Sequence, residues 1–343
     1  MNLDNENQHY ISRVLLNRFR VPNEPLRCYQ LKTDEWVPKS VDRLCSAEGY
    51  NQLLVPGLPT NNIVEASISR VETLLPKTFK ALEVAAYQES TELPEKIFKN
   101  LRDYCTFLKL SSPFSKASAV VSFLTQLNIE LERGKYALWK ELKTPQNIID
   151  GFRREHASGG RVIMEAKNVL QLIYRLQFER TLDVNYAEMA NTDWTIAVST
   201  VDLPMSDIGL VQVQLDSYKA KHYLLPIGPR FLLEGIFYHD LKRNSVRTAI
   251  RGVKMTQEET EHRVDCICLS SVREIIFSRE YPDVKSSLGR ARRSGLRFAQ
   301  ITNPDQVLAA GGQDADMRYS LKCVSEAEYT KFIHSFVMPP EHG

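Results

Sequence analysis

The apolar residues of this chain change their spacing near Trp194, and that switch bounds the fold more tightly than any single motif. Before it, Ile63, Val64, Ile68, Val71, Leu75 and Phe79 recur at threes and fours, the period of one helix face. Asn61 or Asn62 is placed to cap that helix. Further helices are predicted over 93–110, 116–142 and 163–182, separated by Ser111-Ser112-Pro113 and by a basic, glycine-containing loop at 151–161. After Trp194 the texture is different. Short β-branched or aromatic runs at 194–199, 210–214 and 222–226 end in Pro, Gly or Asp, as sheet strands do.

Near the N-terminus, 26–31 and 36–41 flank the turn Lys32-Thr33-Asp34-Glu35 and read as a β-hairpin whose second strand carries Pro38, an edge residue. A helix is predicted over 256–277 and a strand over 318–324. A last helix opens at Ser325, with Glu328 three residues on in capping-box spacing. Together these predict an α+β fold: a mainly helical first half with an N-terminal β-hairpin, and a small mixed sheet in the second half. The expected division is 1–150, hairpin and helices, and 151–343, a mixed α/β part with a basic C-terminal segment, the two forming either separate parts or one compact domain.

With 43% hydrophobic and 25% charged residues in 343, the chain can bury a large core, and a formal charge of +2 gives it no global basic field. Six scattered cysteines lack metal-site spacing; Cys266-Ile267-Cys268 has no two-residue spacer and no matching pair. The polar, acidic N-terminus does not read as a signal peptide, and no apolar run reaches the roughly 20 residues of a membrane span. The expectation is a cytoplasmic protein with reduced thiols and no membrane partner.

The phrase Asn7-Gln8-His9-Tyr10, followed by Leu15-Leu16 and Phe19, resembles the opening of the bacterial domain-of-unknown-function family 4238. The likeness continues through Tyr50, through the paired glutamates Glu65 and Glu72, through Trp194 and Asp202-Leu203-Pro204, and through Leu225-Pro226-Ile227-Gly228-Pro229. It covers about residues 7–280. This chain departs from the pattern at Ser12, where the family has proline, at Val201, where it has serine, and at 108–113, where its Gln-x-x-Arg-x-Pro phrase keeps only Pro113. If the Gln and Arg serve chemistry in relatives, their absence leaves this protein altered or inactive. The resemblance carries no activity with it.

Seven residues are close to two helical turns, so Glu65 and Glu72 share a helix face. With His9 and Asp202 they form an imidazole and three carboxylates, a ligand set for Mg²⁺ or Mn²⁺ and equally a set of acid–base groups, with Tyr10 as a further catalytic candidate. Plainer roles compete. The glutamates can be solvated or paired with Arg70 and Lys77, His9 can bond a local carbonyl, and Asp202 can form a turn.

Five cations and no acid lie between Lys285 and Arg297. Lys285, Arg290, Arg292, Arg293 and Arg297 could contact phosphates of a nucleic acid, or form a solvated loop or a dock for an acidic protein partner. Arg153, Arg154, His156 and Arg161 form a second, weaker patch. No phosphate-binding P-loop, dinucleotide fingerprint, serine-esterase elbow or His-Glu-x-x-His is present. These residues point to a phosphodiester-directed hydrolase, a metal-dependent nuclease of bacterial conflict or anti-phage defence; the rival is a non-catalytic partner-binding or regulatory module. The readings differ in one geometric requirement: an enzyme must bring the distant phrases together.

Overall fold

The computed structural model describes residues 7–48, 63–112, 150, 185–214, 220–238, 248–271, 273–279 and 283–293. The chain divides into two units: Met1–Asn51, Ile63–Ser112 and Asp183–Ile301 form the first, and Gln52–Asn62, Pro113–Leu182 and Thr302–Gly343 the second. All described residues except Asp150 belong to the first unit. The helices expected at 116–142 and 163–182, the loop at 152–161, the strand at 318–324, the helix at Ser325, Tyr50 and Arg297 lie outside the described residues.

A six-stranded sheet carries the second half of this unit. Its order is β5 (Thr91–Glu92), β11 (Ala249–Lys254), β6 (Asp193–Val198), β10 (Phe231–Tyr238), β9 (Ala220–Gly228) and β8 (Val211–Gln214). All neighbours are antiparallel except β11 and β6. Strand β9 is buried almost throughout, so it reads as a continuous apolar run. Strand β10 escapes sequence reading because Glu234 and Gly235 interrupt its alternation. Gly235 is required there, since a Cβ would stand 2.6 Å from side-chain atoms of both Thr192 and Trp194.

A second sheet has the order β3 (Glu35–Lys39), β2 (Leu26–Gln30), β12 (Glu274–Phe277) and β7 (Met205–Ser206). The expected α+β layout is thereby corrected to a mixed α/β one. The sheet in the second half is large, with six strands. The two N-terminal strands are not a hairpin standing by itself but half of a four-stranded sheet completed by β12, whose Ile276 lies opposite Cys28. The reason is burial: β2 holds Leu26, Cys28 and Tyr29 out of water, and Ile275 and Ile276 supply the covering strand.

The helices differ from expectation where proline and side-chain caps intervene. The pattern from Ile63 to Phe79 is two helices, α2 (Ile63–Glu72) and α3 (Leu75–Ala85), because Pro76 cannot donate within a helix and takes its first turn instead. Helix α4 (Glu95–Ser111) starts after Pro94. The helix expected over 256–277 ends early: α5 (Gln257–Ser270) opens with the Thr256–Glu259 capping box and stops at Ser270. Asp207 then accepts the backbone N–H groups of Arg273 and Glu274 at 2.8 and 3.2 Å, starting β12 in place of another helical turn. Helix α6 (Val284–Arg293) follows. Leu203, Ile208, Val211, Leu224, Leu232, Val264, Ile267 and Ile275 form the core beneath α5. Among the described residues, no helix is long and apolar enough to cross a membrane.

Candidate functional site

Helix α1 (Arg13–Phe19) is short, and its placement decides the site. Strand β1 (Asn7–His9) pairs with β4 (Ser46–Glu48), and the Tyr10 N–H then donates to the Cys45 carbonyl at 2.9 Å. The chain turns at Ser12, whose hydroxyl caps α1 by accepting the Val14 N–H at 3.1 Å. Leu15, Leu16 and Phe19 are fully buried, while Arg13, Asn17 and Arg20 stay exposed.

Glu72, at the end of α2, meets this cap. Its carboxyl hydrogen-bonds the Ser12 hydroxyl, which also faces the phenol of Tyr104 on α4. Ser12 and Tyr104 are buried. Among the described residues, no hydrogen bond satisfies the Tyr104 hydroxyl, although Ser12 lies beside it. Burial raises the Glu72 carboxyl to about 7, with repulsion from Glu65 adding to the rise; the Ser12 bond and the Arg13 guanidinium oppose it. Burial lowers His9 to about 4, helped by Arg13, against a hydrogen bond to the Leu44 backbone and the nearby Asp42 charge. At neutral pH the site therefore holds an uncharged imidazole and a carboxyl near its midpoint.

Arg13 thus acts on both His9 and Glu72, and Glu65 acts on Glu72. The Tyr10 hydroxyl is directed to the Cys45 thiol. Asp202 stands apart from this group: its carboxylate accepts from Ser278 at 3.0 Å and lies 3.9 Å from Arg230. Among the described residues, no three His, Cys, Asp or Glu side chains are placed to hold a metal ion, so the proposed four-ligand set does not fit one here.

Two cations of the basic segment are engaged within the fold. Arg290 grips both oxygens of Asp265 at 2.9 and 3.0 Å and bonds Ser287 at 3.0 Å, and Lys285 pairs with Asp34. Arg292 and Arg293 end α6. Sequence reading saw five cations but not the acids from α5 and the β2–β3 turn that meet two of them.

Several phrases of the family resemblance gather on α1. Ser111 donates to the Tyr10 carbonyl at 3.4 Å, bringing the departure at 108–113 beside the one at Ser12. Arg18 bonds the Ile227 carbonyl and Glu83 and lies 5.2 Å over the Phe79 ring. Leu203 donates to the Pro229 carbonyl at 2.6 Å, tying the Asp202 phrase to the same β9–β10 turn. Arg13 also lines an open groove of about 540 Å³, with Asn17, Arg20, Asn23, Glu24 and Asp42. Arg13 and Asp42 pair across it at 3.2 Å, both well exposed.

Sequence reading missed Ser12 as a working residue, noting it only as a missing proline, and missed Tyr104, which carries no motif. The cap gives a direct test: Ser12→Ala is expected to lower stability by about 1 kcal/mol, measured by urea midpoint, and to shift the Glu72 titration upward.

His9 and buried His222, also lowered to about 4, set a second expectation. An unfolded histidine binds its proton near pH 6.5, and these two resist it when folded. Their contribution is complete above 6.5 and is lost as pH falls toward 4, so the urea midpoint should drop across that window.

The fold and site define a mixed α/β protein with a half-buried carboxyl, Glu72, beside the buried Ser12 and Tyr104 near the N-cap of its first helix. The chain belongs to the family described as Protein of unknown function (DUF4238), whose model matches residues 7–280. Among curated proteins and among solved structures, none matches significantly.

Proposed function

We propose that this protein is a phosphodiester-directed hydrolase whose acid–base centre is Glu72, beside Ser12 and Tyr104, with Arg13 as the phosphate contact. The observation that carries the reading is a carboxyl brought to about 7 beside an arginine that reaches an open polar groove. A general base works best when it titrates near the working pH. In this scheme Glu72 takes a proton from the attacking water, the P–O bond to the leaving group breaks, and the same carboxyl returns the proton to the departing oxygen. Arg13 balances the charge on phosphorus oxygens. His9, uncharged, does not compete with Arg13 for the phosphate. The setting is the cytoplasm, which suits the buried, unbridged Cys28, Cys45, Cys105, Cys266 and Cys268.

The test is cleavage of single- and double-stranded DNA and RNA, with and without Mg²⁺ or Mn²⁺, by the parent, Glu72→Gln and His9→Ala. Cleavage that survives Glu72→Gln in folded protein removes the residue from the mechanism.

A second reading, the partner-binding module, draws on a different observation. Val84 and Tyr87 at the end of α3 and Val253 on β11 are large apolar side chains 55, 67 and 43% exposed. In a cellular assay of function, a module would tolerate Glu72→Gln and fail with Tyr87→Ser; the hydrolase would do the reverse.

A further inference from the structure

Away from the Glu72 site, three ionised side chains meet where α4 covers the six-stranded sheet. Lys109 on α4 donates to one oxygen of Glu188 at 2.8 Å, and Lys221 on β9 donates to the other at 3.0 Å. Their side chains are 15, 19 and 9% exposed. One lysine would neutralise the carboxylate. The second leaves a net positive charge in a place from which water is mostly excluded, and such a charge is costly unless something compensates it.

Two aromatic rings take part of that charge. The Lys109 ammonium lies 5.6 Å from the centre of the Tyr223 ring, and Lys221 lies 5.7 Å from that of Phe237. The Tyr223 hydroxyl accepts from Lys109 at 3.4 Å and keeps its own proton to donate. The cluster therefore gathers two ammonium groups on one carboxylate, with the fully buried Tyr223 beside Lys109. Burial lowers the Lys109 ammonium despite Glu188, and Lys221 adds to the lowering; burial would raise Glu188, but the two lysines together hold it down. Both directions describe a site with one cation more than it can balance.

We infer that Lys109 and Lys221 form an anion-binding site for a phosphate group, separate from the Glu72 centre. Ammonium groups act as compact point charges that suit phosphate. Glu188 orders the two lysines and limits the charge, which sets the affinity.

The two sides of the charge balance give opposite expectations. Inorganic phosphate should raise the melting temperature of the full-length parent saturably, beyond chloride at equal ionic strength. Lys221→Gln leaves a neutral Lys109–Glu188 pair, and should remain folded while losing the phosphate response. Glu188→Gln leaves two cations, and should bind phosphate more tightly, by about tenfold in titration calorimetry. Should that variant fail to fold, Lys109→Gln takes its place and should lose the response as Lys221→Gln does. Acetate matching phosphate would overturn the phosphate assignment. No saturable response in the parent, or the same response in every variant, would overturn the site itself.

Discussion

Glu72→Gln is expected to slow phosphodiester cleavage by about 10²- to 10⁴-fold, the range that a positioned general base contributes. The same change should make the folded protein more stable above neutral pH. An unfolded glutamic acid loses its proton near 4.5, whereas this one holds it to about 7. The folded state therefore binds the extra proton between those values. Its contribution is fully present below 4.5 and is lost as pH rises through 7. Glutamine is never ionised and escapes the loss, so by pH 8 the variant should gain up to about 3 kcal/mol relative to the parent. Urea titrations at pH 4.5 and pH 8 measure the gain. Equal parent–variant differences at the two pH values would contradict a buried, raised carboxyl.

Gly252→Ala should be the most damaging single substitution in the six-stranded sheet. A Cβ there would stand 2.5 Å from the carbonyl oxygens of Ala85, Ala86 and Gln88. All three are backbone atoms at the end of α3, and none can rotate away as a side-chain tip could. The Gly252 N–H also donates to the Gln88 carbonyl at 2.9 Å, so separating the two segments breaks that bond as well. The expected loss is about 3–5 kcal/mol, read as a drop in urea midpoint with an unchanged slope. Tyr87→Ser nearby loses only an edge-on ring contact with Phe231, 6.2 Å between centres, and should lower the midpoint far less.

What could be read from sequence was local. The α1 entry, the strand at Trp194 and the Thr256-to-Glu259 helix start are written in short-range patterns, and the family phrases were recognisable one by one. The pairing of Cys28 with Ile276 was not, because both residues are merely apolar and nothing local specifies the partner. The split between α2 and α3 was available in Pro76, but the continuous apolar spacing across it argued for one helix. At the site, Glu65, Glu72 and His9 stood out as titratable groups in sequence. Ser12 and Tyr104 did not, since a serine before a helix and a tyrosine within one are common, and only burial against Glu72 gives them a task. Asp202 looked equivalent to the glutamates in sequence; its partners, Arg230 and Ser278, place it in another environment.

The joining of β2 to β12 also has a consequence for how the protein comes into being. During synthesis, β2 and β3 leave the ribosome early, and the strand that completes their sheet is made about 250 residues later. Until then one edge of β2 offers unpaired backbone groups to any passing strand, a state that invites association between nascent chains. Chaperone dependence should therefore fall sharply once translation has passed Phe277, the last residue of β12.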